Sequence, residues 1–434
     1  MIVSCRLAQK SNRNWSFLLK IEKSIKRMRT KNFTFLPFYI FAFATQVVSI
    51  LHKPNSSISD SKFAFCNYYI TKLKYFNVHI DCDAQYFLLD SQNPMRIIND
   101  QSPIQDRPLH AFIVYVITKF LELFGIPASP ISYSGEDGIP QTYNLLNYGV
   151  YILLNLVILF ISVQLVLKVL LPKRTTQEVY LKVVALTALL LVVQNAILRE
   201  FFWTPHSQLF NILIPCLIFY LAQPEFVITK KILIKLLPIL SLSLLIYPIF
   251  FIVLPIVFIK TYRTMGKFPT LLAVFVVIPK LIWPFILGLF GGHYNDTPVS
   301  GHRRFIWILD AIKSDTLLSS FNQNAQLFFR SLPGLWVVIV IVLTCIGFVN
   351  LVILQSFKDK LRQTYFRDSI IALIIYWLGI ALNGEYGPRF TTGLVILFGL
   401  IILNEVTNLK LIQKFWWLPY ALILAANLYY WISN

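Results

Sequence analysis

The chain has 434 residues, of which 56% are hydrophobic, 15% aromatic and only 14% charged. That balance excludes a soluble globule and, with repeated apolar runs near bilayer length, predicts an all-α membrane protein, a polytopic bundle of about 11 transmembrane helices. The formal net charge of +19 sits in the N-terminal tail and short loops, where Lys and Arg orient membrane proteins, so no nucleic-acid partner is expected.

Residues 1–32 read as a basic cytoplasmic tail carrying Arg6, Lys10, Arg13, Lys20, Lys23, Lys26, Arg27, Arg29 and Lys31. Within it, Trp15–Leu19 reads either as a surface-lying amphipathic helix or as solvated tail. Residues 33–434 form the membrane domain. Its expected spans are roughly 33–51, 109–126, 144–171, 183–199, 206–222, 232–259, 269–290, 333–354, 369–382, 391–406 and 415–432. The sixth holds Pro238, Pro248 and Pro255, which predict a kink or a split into two half-helices.

Taken as a single crossing, that segment puts Lys260/Arg263/Lys267, Lys358/Lys360/Arg362/Arg367 and Lys410/Lys414 on the cytoplasmic side. It leaves Lys173/Arg174 and Lys230/Lys231 on the opposite side, so the agreement is partial. The same count places the polar loops 52–108, 291–332 and 383–390 outside.

The first outer loop has internal order. Phe65, Tyr69, Leu73 and Phe76 recur at helical spacing with Lys62, Lys72 and Lys74 among them, which predicts a helix over Ser61–Phe76 in the headgroup layer. A second short helix is predicted near Asp83. Around it lie Asp83-Ala-Gln-Tyr86-Phe, Asn93-Pro94 and Asp106-Arg107-Pro108-Leu109. Charge beside hydrocarbon is costly unless it functions or faces water, so chemistry is sought here first.

This run resembles the first outer loop of polyprenyl-phosphate-dependent glycosyltransferases of the C-type (GT-C) superfamily. In that group an acidic residue followed by an aromatic pair precedes an Arg and a Pro opening the second span. The resemblance covers about 30 residues and the general layout of spans. Ala84 stands where a glycine is common, and no aromatic precedes Pro108. The resemblance implies sugar transfer from a polyprenyl-phosphate donor to a hydroxyl on a glycan, lipid or protein acceptor. The reaction is placed on the extracytoplasmic face, with a bacterial inner membrane as the expected location. No glycine-rich phosphate loop or dinucleotide fingerprint occurs, consistent with a donor arriving through the membrane.

Residue chemistry fits those roles. Asp83 is the expected base and Asp81 its catalytic companion, while Tyr86 and Arg107 are expected to bind substrate. A guanidinium matches phosphate oxygens bidentately. The competing reading of Asp83 is a helix cap. Asp81-Cys82-Asp83, with His79 nearby, also has oxygen ligands at a spacing that suits Mg²⁺ or Mn²⁺ beside a phosphate, although no metal ligand is assigned.

Two further loops carry candidates. In Gly291–Phe305 the pair Arg303-Arg304 offers a compact cationic site for phosphate, an acidic glycan or a lipid headgroup. In Asn383–Phe390 two glycines and a proline break the helix beside Glu385 and Arg389; Arg389 is read as a phosphate ligand or as Glu385's ion-pair partner. Lys280 lies mid-span, where charge faces protein or water. Lys119 and Glu122 are expected to neutralise one another.

The alternative function is a transporter or flippase of a lipid-linked glycan. An enzyme gathers Asp83, Arg107, Arg303 or Arg304, and Arg389 at one outward cavity. A transporter shows a polar path reaching both faces.

Overall fold

The computed structural model describes residues 35–48, 68–72, 77–80, 82–99, 102–134, 140–171, 178–292, 307–331, 364–383 and 388–407. It is predominantly helical. In chain order come α1 (Phe35–Val48), a hairpin of β1 (Tyr68–Lys72) and β2 (Asn77–Ile80), then α2 (Cys82–Gln92), α3 (Met95–Ile98) and α4 (Pro108–Leu123). A second hairpin, β3 (Pro130–Ser134) with β4 (Pro140–Asn144), leads into α5 (Leu145–Leu170), α6 (Glu178–Val193), α7 (Ala196–Phe201) and α8 (Phe210–Ala222). The rest comprises α9 (Lys230–Ile246), α10 (Leu254–Met265), α11 (Lys267–Val274), α12 (Ile278–Leu289), α13 (Trp307–Lys313), α14 (Leu317–Ser331), α15 (Thr364–Asn383) and α16 (Pro388–Thr407).

Three helical stretches among the described residues are long and apolar enough to cross a membrane: Leu145–Leu170, Pro248–Met265 and Pro269–Leu289. At 1.5 Å per residue the first measures about 39 Å, against a hydrocarbon core of about 30 Å. Shorter apolar helices cover Phe35–Val48, Val184–Val193, Ser207–Ala222 and Phe390–Asn404. At the centre stands α8, packed on α5, α15 and α16 in one continuous apolar core.

Helix interruptions are set by particular residues. Tyr247 ends α9 in extended backbone (φ −153°, ψ 109°), because Pro248 excludes the helical conformation from the residue before it. The split predicted for 232–259 therefore occurs there, while Pro238 stays inside α9. Asn195 separates α6 from α7: its Nδ2 donates to Val192 O at 2.7 Å and its Oδ1 accepts from Leu198 N at 3.1 Å. One side chain thus closes one helix and caps the next.

Two expectations need correction. The helix predicted over Ser61–Phe76 contains strand β1, paired antiparallel with β2. Tyr68, Tyr69, Ile70 and Thr71 are β-formers, and that preference prevails over the apolar period. Within the polar loop 291–332, α13 and α14 add two helices. The span predicted at 109–126 is α4, only 16 residues long and carrying Lys119 and Glu122. Its His110 ring lies 5.2 Å from Tyr151, while Thr118 and Glu122 line a cavity with Asn144 and Asn147. The start of α4 thus meets the second turn of α5, and its end shares a cavity with the first turn. The spans predicted at 333–354 and 415–432 lie outside the described residues, as does the N-terminal tail.

The two ends of the bundle differ in chemistry. At one, Lys260 donates to the carbonyls of Gln223 and Phe226, and Arg263 Nη1 meets the Asp368 carboxylate at 2.5 and 2.7 Å. Lys168 sits 6.0 Å above the Tyr220 ring at the same end. The other end gathers Asn211, Tyr247 and the residues around Arg107.

Gly393 on α16 is where helices close most tightly. A Cβ there would collide with the Tyr376 hydroxyl and lie 2.8 Å from Asn211 O. We expect Gly393→Ala to lower the melting temperature in detergent by several degrees, an overpacking cost of roughly 1–3 kcal/mol. Adding Tyr376→Phe should recover part of that loss; an unchanged melting temperature for Gly393→Ala would contradict this packing.

Candidate functional site

Arg107 stands at the head of α4, immediately before Pro108, whose fixed φ suits the first helical turn. Its guanidinium Nη1 donates to Ser207 Oγ at 2.7 Å, its Nε lies 3.4 Å from Asp106 Oδ1, and its Cζ sits 5.2 Å from the Tyr247 ring centroid. A hydrogen bond, an ion pair and a cation–π contact thus hold one partly buried cation.

The loop before Arg107 is pinned from α12. Lys280 Nζ donates to Asp106 O at 2.6 Å and Trp283 Nε1 to Gln105 O at 2.7 Å. Lys280, predicted mid-span with an inward role, therefore brings a second cation beside Arg107's loop. Below it, Ser102 donates to Asp90, and Gln105 Nε2 donates to Ile97 O at 3.0 Å.

The opposite wall is the irregular stretch between α7 and α8. Asn155 of α5 donates to Phe202 O at 2.9 Å and Thr204 O at 3.1 Å, satisfying carbonyls that the break at 202–206 releases. His206 Nδ1 accepts from Gln208 N at 3.1 Å, so the neutral ring carries its proton on Nε2. Its ring lies 4.9 Å from Phe87, which is 5.5 Å from His110. Asn211 Nδ2 donates to Gln208 Oε1 at 2.7 Å, and Tyr247 Oη donates to Asn211 Oδ1 at 3.0 Å. His110 is buried, and among the described residues its Nδ1 has no hydrogen-bond partner. An orphaned buried imidazole nitrogen in a polar cluster is a place for a ligand or water.

Of the residues singled out from the sequence, Arg107 lies at the heart of this cluster. Tyr86 lies on α2, one residue before Phe87. That helix begins at Cys82, so Asp83 occupies its first turn instead of preceding it. The direction of the Asp83 side chain lies outside the description, as do Asp81, Arg303, Arg304 and Glu385. Arg389 falls in the first turn of α16, one turn before Gly393, which abuts Asn211; its side chain also lies outside the description. Among the described residues no group of three or more His, Cys, Asp or Glu is placed to hold a metal ion.

His110, His206, Ser207, Gln208, Asn211 and Tyr247 were not identified from sequence. The signal was Pro205-His206-Ser207-Gln208, a polar run at the head of an apolar segment, which the expected span 206–222 absorbed. Lys119 and Glu122 do pair, at 2.7 Å. No family model, curated protein or solved structure matches this chain.

A buried carboxylate supports the loop from α2. Asp90 is fully buried, accepts from Ser102 and lies 3.4 Å from Arg96 Nε. Burial pushes its carboxyl up to about 6, although the Ser102 hydrogen bond and the Arg96 charge pull it down. Because the folded state binds this proton more tightly than the unfolded chain, the contribution is most favourable at low pH. It is lost as pH rises from about 4 to about 6. Wild type minus Asp90→Asn should therefore show a melting-temperature difference that shifts across that window and is flat above it, spanning roughly 3 kcal/mol. A difference that does not change with pH would refute the assignment.

Proposed function

We propose that this chain is an integral membrane glycosyltransferase, moving a sugar from a polyprenyl-phosphate donor to a hydroxyl of a glycan, lipid or protein acceptor. The observation that carries this reading is the seating of Arg107. It stands at the head of α4, five residues after Asp90's Ser102 anchor, and in space it meets Ser207 and Tyr247 from two interrupted helices, with Lys280 reaching the same loop from α12. Two cations converge at one end of the bundle, on the loop that follows the helix whose first turn holds Asp83.

The chemistry follows from the groups. An acceptor oxygen attacks the anomeric carbon as the bond from that carbon to the phosphate oxygen breaks. The leaving phosphate takes the bonding electron pair, and Arg107 and Lys280 stabilise its charge. The Asp83 carboxylate takes the hydroxyl proton, with Asp81 next to it in sequence. Arg303, Arg304, Glu385 and Arg389 are proposed to complete substrate binding. If Mg²⁺ or Mn²⁺ takes part, Asp81 and Asp83 are the residues proposed to hold it, where it would supply further charge for the leaving phosphate.

The membrane arrangement proposed is also eleven crossings with the tail cytoplasmic, but counted differently from the sequence. The helix α4 does not cross, and 230–265 crosses twice, turning at Tyr247. Lys173/Arg174, Lys230/Lys231, Lys260/Arg263/Lys267, Lys358/Lys360/Arg362/Arg367 and Lys410/Lys414 then all lie on the tail's side. The disagreement left by the sequence disappears. Arg107 and His206 fall on the opposite, outer side.

Interrupted helices near the polar cluster favour the second reading, a transporter or flippase. Against it, the cluster sits at one end, and Tyr376, Phe219, Ile214 and Leu397 are buried in the core beyond it.

Two tests apply. With purified protein and a panel of polyprenyl-phosphate sugars, Asp83→Asn should reduce transfer at least about 100-fold without lowering the melting temperature. Arg107→Lys should reduce kcat/KM by roughly 10–100-fold, since lysine lacks the planar fork. Full transfer by Asp83→Asn would remove the proposed base. For topology, Lys173→Cys and Lys231→Cys, in a background lacking the native cysteines, should resist an impermeant maleimide in intact cells, whereas Thr142→Cys should react. Labelling of position 173 from outside would overturn the crossing count.

A further inference from the structure

A polar cavity of about 250 Å³, with none of the Arg107 cluster in its lining, lies between the C-terminal half of α4, the end of α2, strand β4 and the start of α5. Tyr115, Thr118, Lys119, Glu122, Tyr143 and Asn147 are among its lining residues. Its volume falls just under the range of about 300–1,000 Å³ usual for drug-sized ligands, which suits one or two rings, with any further ring of a longer ligand lying outside it.

The wall chemistry selects the ligand. Lys119 and Glu122 neutralise each other at 2.7 Å, so the cavity offers no net charge for an anion. Two phenols, an asparagine amide, a carboxylate and threonine hydroxyls give donors and acceptors in close alternation, with aromatic faces between them. Thr118 is buried, and among the described residues its Oγ1 has no hydrogen-bond partner. A helical threonine ordinarily satisfies that hydroxyl on a preceding carbonyl, so an unused one in a cavity wall is a group left for a ligand. Burial, with Tyr86 nearby, pushes the Tyr143 phenol up to about 12, keeping it an O–H donor.

The cavity is also tied to the candidate site. Ser91 on its wall and Asp83 share α2 and stand eight residues apart, about 12 Å along a helix. We propose that this cavity binds a neutral saccharide, as the acceptor-side subsite of the transfer reaction; the assignment to the acceptor rests on the glycosyltransferase reading above.

The test uses the full chain in a detergent without a sugar headgroup and measures saturation transfer by NMR to cellotriose, chitotriose and mannotriose. At least one trisaccharide should bind wild type. Thr142→Trp, which fills the cavity from an exposed strand position, should abolish that binding. Thr118→Val should keep the melting temperature, since the hydroxyl holds nothing, and weaken binding roughly fivefold. Arg107→Lys should bind the trisaccharide as wild type does while its transfer falls roughly 10–100-fold. Failure of all three sugars to bind wild type, equal binding by Thr142→Trp, or displacement of the sugar by inorganic phosphate would overturn the proposal. Trisaccharide binding by a wild type that releases sugar from no polyprenyl-phosphate donor would sink the enzyme reading and leave a saccharide site. Wild-type transfer rates in Thr142→Trp would sink the subsite alone.

Discussion

The interruption between α7 and α8 constrains everything around it. A chain that leaves the helix amid apolar neighbours strands carbonyls that water does not reach, each costing several kcal/mol if unpaired. Asn155 answers for Phe202 and Thr204 from one side chain, and Tyr148 answers for Trp203. With those carbonyls satisfied, the backbone can turn at 202–206 and present His206 and Ser207 to the end of the bundle. Ser207 then receives Arg107. The polar cluster is thus a consequence of how the break is satisfied, and α5 supplies the satisfaction.

A second break completes the cluster by different means. Pro248 forces Tyr247 into extended backbone, and the phenol that results stands beneath the Arg107 guanidinium and donates to Asn211. Asn211 in turn meets Gly393 through its carbonyl. The order of dependence runs from proline to tyrosine to arginine, with α16 closing behind. A change at Gly393, far from any charge, therefore reaches the same group of side chains through Tyr376 and Asn211.

These features were unevenly legible in the sequence. The long apolar run at 144–171 became α5 almost residue for residue, because nothing in it opposes a helix. Pro248 announced the break at Tyr247, and Lys119 with Glu122 announced their ion pair. The helix at 108–123 was legible too, but not its place relative to the membrane: apolar residues outnumber polar ones along it, yet Lys119 and Glu122 sit where a crossing helix would meet hydrocarbon. His206 was hidden differently. A polar run of four residues at the head of an apolar segment looks like a helix cap, and only the neighbouring carbonyls of 201–204 reveal it as a break. The hairpin of β1 and β2 escaped because Phe65, Tyr69, Leu73 and Phe76 recur at helical intervals, although Tyr68–Thr71 prefer strand.

In the crossing count proposed above, with α4 outside the membrane and 230–265 split, two kinds of observation that share no data agree. One is the distribution of Lys and Arg along the chain, which favours placing Lys173/Arg174 and Lys230/Lys231 on the same side as the tail. The other is contact geometry: Lys168 over Tyr220, Lys260 on Gln223 and Arg263 on Asp368 all lie at one end, away from Arg107 on Ser207. Charge at the first end holds loops together by capping carbonyls and pairing carboxylates. At the second, Arg107 is instead set on a hydroxyl and an aromatic face, with the Asp106 carboxylate 3.4 Å from its Nε. That difference in seating, a hydroxyl and a ring at one end and a buried carboxylate at the other, separates the two ends more than the number of charges does.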